Sequence, residues 1–380
     1  MRILLVPSAY YPHVGGIEEL TRQLALAFKK RGHDAAVLTN RWPPGVPPSE
    51  VLDGIDVTRQ RFPLPAKRLS AVAHFLATSP AAAITLLRHI RRWRPEIVHV
   101  IGAGPPSAYL AALHARIRTP LVFTGQGELT FDAYRVFERS ATLLAGLRRM
   151  LRCADAVTAC STFVMRDLEN LEQIRAPSYV VPNGVEPSDF ESARPELGCK
   201  PYVLGVGRLV PQKGFDVLMD AFAADELGQM NLVVAGDGFE RDRLRTRAID
   251  LGIDSRVRFV GALARERVAR LLRGARVFAL PAREEPFGIA LLEAMAAGVP
   301  AVATAAGGIP EFARDGVNAL LVPPDDARAL AEAITRLAFD PGLRSRVIDG
   351  GRATAERHAW GLIAARYEEI YRRALQQDVA

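Results

Sequence analysis

Short apolar or β-branched runs alternate along this chain with stretches whose apolar residues recur at helical spacing, beginning with Ile3–Val6, Glu18–Arg31 and Ala35–Leu38. Such runs read as strands of a parallel sheet, and the amphipathic stretches between them as helices laid on its faces. The alternation continues with Ile97–Ile101, a helix from Ser107 to about Arg116, Leu121–Thr124, a longer helix Ala133–Leu151 and Val157–Ala159. It predicts a Rossmann-like first half.

Around Tyr179–Val185 the strand signal ends in a Pro-Asn-Gly turn, and Pro187, Pro195 and Gly198 then interrupt any regular pattern, which places an inter-domain linker there. The alternation restarts at Tyr202–Gly207 and returns at Leu232–Ala235, Val257–Val260, Val277–Leu280, Ala301–Ala303 and Ala319–Val322. A second Rossmann-like half is therefore expected. From Trp360 to Leu375 the residues Leu362, Ile363, Tyr367, Ile370 and Tyr371 lie at helical spacing, so a terminal helix must bury one face. The expected fold class is α/β, with domains at 1–185 and 186–359 and a closing helix at 360–380.

Length and composition agree with this division. A chain of 380 residues suits two domains, and 49% hydrophobic with 24% charged residues matches packed globular protein. The longest mostly apolar stretch, Leu69–Leu87, is broken by His74, Thr78, Ser79 and Pro80, so no membrane span is expected. The N-terminal Met1–Pro7 reads as a strand rather than a secretion signal, and a cytoplasmic location follows as the expectation. Cys153, Cys160 and Cys199 have no metal-ligand spacing, which argues against structural zinc and for ordinary small residues.

Charge changes the picture in one respect. Of the net +7, residues 1–185 carry +9 and the remainder −2. A solvated basic face explains this, as does contact with an anionic membrane surface or a phosphate-bearing acceptor. Nucleic acid is not expected, because no zinc-finger, homeodomain or RNA-recognition signature accompanies the charge. The basic positions that stand out are Lys67-Arg68 and the run Arg88–Arg94, where Leu86, Leu87, Ile90 and Trp93 are interleaved. That run reads as a core-facing helix with an exposed basic side or as a membrane-surface helix.

The densest chemical signal is Arg283-Glu-Glu-Pro-Phe-Gly-Ile-Ala-Leu-Leu-Glu293, a loop that becomes a helix near Gly288. Glu285 precedes the first turn, where free backbone N–H groups and the positive end of the helix dipole favour an anion, and Glu293 lies further along the same helix. Two carboxylates flanking a phosphate-binding helix start suit the two ends of a sugar nucleotide; a surface helix capped by Glu285 is the plainer alternative. In Gly205-Val-Gly-Arg-Leu-Val-Pro-Gln-Lys-Gly214 a strand leads into a loop carrying Arg208 and Lys213. Two cations there suit a diphosphate and the charge that develops on it as it leaves, without need of a metal. A dinucleotide fingerprint fails, since Val210 stands where the third glycine belongs.

Gly15-Gly16 join the first strand to its helix, either as a simple tight turn or as a place where backbone approaches a ligand. His99 lies on the strand Ile97–Ile101, and Gln126 and Glu128 follow Leu121–Thr124, at strand ends where open sheets bind ligands, although each taken alone reads first as a structural residue.

Taken together, Gly15-Gly16-Ile17, Val181-Pro-Asn-Gly-Val185, Gly207–Gly214, Ala235-Gly-Asp-Gly238, Glu285–Glu293 and Gly307-Gly-Ile-Pro-Glu311 resemble, in order, the motifs of the retaining glycosyltransferases of family 4. The resemblance implies the GT-B fold, in which two Rossmann-like domains face each other across a cleft, the first on the acceptor side and the second binding the donor. It implies that Arg208 and Lys213 bind the donor diphosphate, that Glu285 contacts the transferred sugar, and that Glu293 holds the ribose. Gly288, Ile289 and Ala290 would offer backbone N–H groups, Gly16 would approach the phosphate, Gly236 and the segment from Val260 to Leu263 would border the nucleotide, and the terminal helix would cross back to the first domain. His99, Gln126 and Glu128 stand on the acceptor side. Many relatives have a His where this chain has Gln126, which cannot serve as a general base.

The expected activity is metal-independent, retaining transfer of a hexose from a UDP- or GDP-type sugar to a hydroxyl of a glycan, glycolipid or small metabolite. The nucleotide sugar is a co-substrate and no cofactor is required. A sugar-nucleotide epimerase or hydrolase, and a non-catalytic subunit, are the alternatives that share this fold.

Overall fold

The structure is a computed structural model that describes residues 1–12, 15–65, 69–129, 132–196 and 200–377. Lys67, Arg68, Gly198 and Cys199, singled out above, lie outside the described residues. Two compact units are present: Met1–Asn183 with Trp360–Ala380, and Gly184–Ala359.

The first unit runs β1 (Arg2–Pro7), α1 (Gly16–Lys30), β2 (Asp34–Asn40), β3 (Ser49–Leu52), β4 (Ile55–Gln60), α2 (Leu69–Trp93), β5 (Ile97–Ile101), α3 (Pro105–Leu113), β6 (Leu121–Gly125), α4 (Val136–Arg139), α5 (Ala141–Cys153), β7 (Ala156–Ala159), α6 (Thr162–Leu171) and β8 (Ser178–Val180). Its sheet has the order β3-β4-β2-β1-β5-β6-β7-β8, parallel except for the β3–β4 hairpin. β1 and β5 are buried along almost their whole length and read as continuous apolar runs because helices cover both faces.

The second unit runs α7 (Pro187–Glu191), β9 (Tyr202–Val206), α8 (Phe215–Phe222), β10 (Asn231–Ala235), α9 (Arg241–Asp250), β11 (Val257–Gly261), α10 (Arg265–Gly274), β12 (Val277–Leu280), α11 (Ile289–Ala296), β13 (Ala301–Thr304), β14 (Leu320–Val322), α12 (Ala327–Phe339) and α13 (Pro341–Arg357). Its sheet, β11-β10-β9-β12-β13-β14, is wholly parallel. The final helix, α14 (Trp360–Gln377), packs Trp360, Ile363, Tyr367 and Tyr371 into the core of the first unit, against Phe28 and Leu24 of α1 and the apolar residues of β1 and β5.

Three expectations are corrected. The hairpin β3–β4 was not anticipated, because β3, at a sheet edge, has no buried residue, only half-buried and exposed ones, and β4 buries only alternate residues, so the two carry too little apolar signal. The helix expected over Ala133–Leu151 is broken: Ser140 leaves helical geometry and its hydroxyl accepts from the N–H of Leu143, capping α5.

The third concerns α2, one helix with Pro80 inside it, in which the residues that break the apolar run of Leu69–Leu87 do not break the helix. The Thr78 and Thr85 hydroxyls bond back to the carbonyls of His74 and Ala81, and alanine-rich turns carry the helix past the proline. Ser70–Trp93 is long and apolar enough, by length and composition, to cross a membrane. Around the run Arg88–Arg94 the helix turns Leu86 and Ile90 to the core and its arginines to solvent, as one of the two readings expected, but no other described side chain of α2 is buried.

Candidate active site

In the second unit the carboxyl ends of β11, β10, β9 and β12 lie side by side, and the loop beyond each carries part of the motif set. Arg208, exposed, follows β9, and Gly236 follows β10, with its N–H bonded to the carbonyl of Gly261 at 2.8 Å. Val260 and Gly261 close β11, and half-buried Leu263 stands just before α10. Glu285 to Ala290 follow β12 and open α11.

Lys213 and Glu285 meet directly, Nζ to Oε2 at 2.5 Å, with the carboxylate almost wholly buried. The backbone holds them together. The N–H groups of Arg283 and Glu284 both donate to the carbonyl of Gln212. The Arg283 guanidinium spans the same two loops, donating to the carbonyl of Pro211 at 2.7 Å and gripping both oxygens of Asp216 at 2.9 Å. Burial would raise the Asp216 carboxyl, but the Arg283 hydrogen bonds and charge outweigh it and hold the group below its ordinary value.

Glu285 is also fixed from behind. Gly307 has φ +54°, and a Cβ there would lie 2.1 Å from the Glu285 carbonyl oxygen, so a side chain cannot be accommodated without moving the Glu285 backbone. The N–H of Gly308 donates to that same carbonyl at 2.9 Å. Gly288, with φ +105°, turns the chain into α11, and Ile289 and Ala290 form its first turn, half-buried. Their amide groups lie at the amino end of the helix, where intrahelical acceptors are lacking. Because α11 begins at Ile289, Glu285 and Glu293 are separated by a loop and one short helical run, with Glu285 ahead of the first turn as expected.

Glu293 has a partner that sequence reading missed. Arg265, the first residue of α10, donates to its Oε1 at 2.7 Å, stacks over Phe190 at 5.0 Å and lies 3.5 Å from Asp189. The signal available was its position two residues beyond Leu263 in a segment already singled out. Arg283, adjacent to Glu284, was likewise overlooked.

The first unit places its candidates differently. Gly16, exposed, opens α1 with Gly15 as the extended N-cap. Gln126 and Asn183 form a reciprocal amide pair: Asn183 donates to Gln126 at 3.0 Å and Gln126 donates back at 3.3 Å. Glu128 accepts from the N–H groups of Ala103 at 3.1 Å and Gln126 at 2.9 Å. Burial raises its carboxyl above the usual value, against the pull of those N–H groups.

His99 is corrected. It is 0% exposed, with Nε2 on the Thr124 hydroxyl at 2.6 Å and Nδ1 on the Tyr371 hydroxyl at 2.7 Å. Burial pushes its pKa down to about 3, so the ring is neutral. It fastens α14 to the sheet and takes no part in an exposed site. The remaining cysteines, Cys153 and Cys160, are free, and burial raises the Cys153 thiol. Among the described residues no group of three or more His, Cys, Asp or Glu is arranged to hold a metal ion.

Comparison with known proteins bears on this geometry. A model described as Glycosyltransferase Family 4 matches residues 14–189, and one described as Glycosyl transferases group 1 matches residues 189–354. A phosphatidyl-myo-inositol mannosyltransferase of Mycobacterium leprae is 28% identical over 386 residues, covering 98% of this chain and 96% of that one. A D-inositol 3-phosphate glycosyltransferase of Acidothermus cellulolyticus is 36% identical over 260 residues, 60% of this chain and 57% of its own. Among solved structures, the sucrose-phosphate synthase from Thermosynechococcus elongatus superposes with a TM-score of 0.80 at 23% identity, covering 99% of this chain and 100% of that one. Anabaena HepE in complex with UDP and glucose gives 0.76 at 22%, covering 97% and 99%.

Proposed function

This chain belongs to the family 4, group 1 glycosyltransferases and has their GT-B fold, and from that premise we propose that it moves a sugar from a nucleoside diphosphate donor to an acceptor hydroxyl with retention at the anomeric carbon. The observation that carries the reading is the pair of ion pairs, Lys213–Glu285 and Arg265–Glu293, one before α11 and one on it. Anabaena HepE was solved with UDP-glucose bound, which supports a nucleotide sugar as the donor type.

On this reading Arg208 and Lys213 bind the diphosphate together with the N–H groups of Gly288, Ile289 and Ala290. Glu285 contacts the sugar, Glu293 holds the ribose hydroxyls with Arg265 orienting it, and Gly236, Val260 and Leu263 border the nucleotide. The bond from the anomeric carbon to the diphosphate oxygen breaks as the bond to the acceptor oxygen forms on the same face, and the acceptor proton passes to the departing phosphate. The negative charge gathering on the diphosphate is met by fixed cations and backbone N–H groups, so these residues supply the stabilisation without a metal. The acceptor is a hydroxyl of a glycan, glycolipid or small metabolite, on the side of Gln126 and Glu128.

The test is a thermal-shift screen with UDP, GDP, ADP and TDP, followed by anomeric analysis of the product by NMR. A concentration-dependent, base-selective shift lost in Arg208→Ala, with an α product from an α donor, is the expected result. Inversion at the anomeric carbon, or a donor consumed to free sugar with every acceptor offered, would overturn it.

A further inference from the structure

Helix α2 presents an apolar face that packing does not explain. Ala73, Ala77, Pro80, Ala81 and Ile84 are exposed along one stripe, and Leu76 beside it is 65% exposed. The three- and four-residue spacing continues without a break into exposed Arg88, Arg91 and Arg92, so stripe and arginines share a face about 27 Å long. Between residues 67 and 95 the sequence has six Lys or Arg, namely Lys67, Arg68, Arg88, Arg91, Arg92 and Arg94, and no Asp or Glu. Exposed apolar surface of this length with one sign of charge calls for an occupant that is apolar in depth and anionic at its surface.

We propose that this face of α2 docks the protein on an anionic lipid bilayer, lying in the plane of the headgroups. Leu76, Pro80 and Ile84 enter the boundary with the acyl chains, and the arginine stems extend upward to place their guanidinium groups among lipid phosphates. A second feature fits the same occupant. An apolar groove of about 300 Å³ runs beside the stripe, lined by Phe75, Pro80 and Ala83 of α2 and by Ala108, Tyr109 and Leu113 of α3. Pro80 belongs to both the stripe and the groove.

The helix is anchored as a surface element rather than as a span. Leu86 and Ile90 are buried in the first unit, the Gln60 side chain donates to the Ala82 carbonyl at 2.6 Å, and the Arg2 guanidinium sits 4.9 Å over Trp93. Crossing a bilayer would require all of these contacts to break. The docking surface lies wholly within the first unit and does not rest on the donor-site reading.

The experiment is co-sedimentation of the full chain with vesicles of phosphatidylcholine alone and of phosphatidylcholine with 30% phosphatidylglycerol, at low and at high salt. Pelleting with the anionic vesicles, weakened at least tenfold by salt and by omission of phosphatidylglycerol, is expected. Arg88→Gln/Arg91→Gln/Arg92→Gln should lower vesicle affinity by about 100-fold, and Leu76→Glu/Ile84→Glu should abolish pelleting. Leu362→Glu, at a residue 53% exposed on α14, should leave it unchanged. All these positions are exposed, and a circular-dichroism spectrum and melting temperature equal to those of the unmodified chain verify that each variant is folded.

No pelleting with anionic vesicles at low salt overturns the proposal, as does pelleting that survives both multiple substitutions. Self-association that Leu76→Glu/Ile84→Glu abolishes, in the absence of vesicle binding, overturns it in favour of a second copy of the chain on this face. Loss of the nucleotide shift in the unmodified protein with vesicle binding intact would count against the donor site alone.

Discussion

In the second unit the loops beyond β9 and β12 bring opposite charges into contact, whereas beyond β5 and β6 in the first unit a neutral amide pair meets a carboxylate held by backbone N–H groups. Both sets stand at the carboxyl edge of a parallel sheet, so position alone does not distinguish them. The chemistry does. A cation already paired with a carboxylate is pre-oriented, and an arriving diphosphate replaces one anionic partner by a stronger one at little cost in side-chain freedom. The Gln126–Asn183 pair and Glu128 offer neutral donors and acceptors suited to a hydroxyl but no fixed positive charge for an anion.

The largest effect that sharpens this contrast is expected from Glu285→Gln. With the carboxylate at the reacting sugar, turnover should fall by about 10²–10³-fold, while the UDP- or GDP-induced thermal shift persists. Undiminished kcat in the folded variant would mean that the paired charges of the second unit are structural.

Lys213→Ala comes next, with nucleotide affinity expected to fall by about 10–100-fold. It also leaves Glu285 buried without this cation, which costs stability in its own right. The double variant Lys213→Ala/Glu285→Gln separates the two effects: its melting temperature should recover and its affinity should not. Recovery of both would assign Lys213 to folding alone. Glu293→Ala should weaken UDP by about tenfold while inorganic pyrophosphate binds as before, because the carboxylate is assigned to the ribose. An equal loss for pyrophosphate would move Glu293 to the phosphate end.

What the sequence disclosed follows the same division. The six strands of the second unit were legible because each is a short, mostly apolar run between polar loops, and Arg208, Lys213, Glu285 and Glu293 stood out because charge in or just beyond a strand-to-helix loop is conspicuous. Arg265 and Arg283 were not legible: their partners, Glu293 and Asp216, lie 28 and 67 residues away, and an arginine at a helix start looks like any surface arginine. In the first unit, His99 sat where ligand residues sit, and only the fold reveals that Tyr371, 272 residues distant, closes over it. The apolar content of α2 was legible; its exposure was not, since a periodic apolar stripe reads the same whether a core or a membrane covers it.

The first unit should instead show its charge in its stability. Glu368 on α14 takes both oxygens to Arg31 and one to His33 at 2.9 Å, and these partners, Arg31 foremost, hold its pKa down at about 2 against an ordinary 4.5. A carboxyl depressed in the folded state stabilises that state above its unfolded pKa and loses the contribution as pH falls through the folded value. The melting temperature should therefore decline between about pH 5 and pH 2, and Glu368→Gln should lower it at pH 7 while flattening that decline. An unaltered acid profile in Glu368→Gln would remove α14 from the acid response.

The smallest expected effect tests whether the amide pair belongs to the first unit's site or only to its folding. Gln126→Leu deprives buried Asn183 of its partner, a change worth about 1 kcal/mol and so a fall in melting temperature of about 2–4 °C. The charged groups proposed to hold the donor belong to the second unit, so the UDP- or GDP-induced shift should match that of the unmodified chain. If Gln126 lies on the acceptor side, KM for the acceptor rises while KM for the donor stays put, and restoring a polar group with Gln126→His recovers part of the loss. A parallel change in both constants would mean that the neutral pair of the first unit and the charged pairs of the second act on the same ligand, and the contrast between them would fail as a guide to which substrate each unit holds.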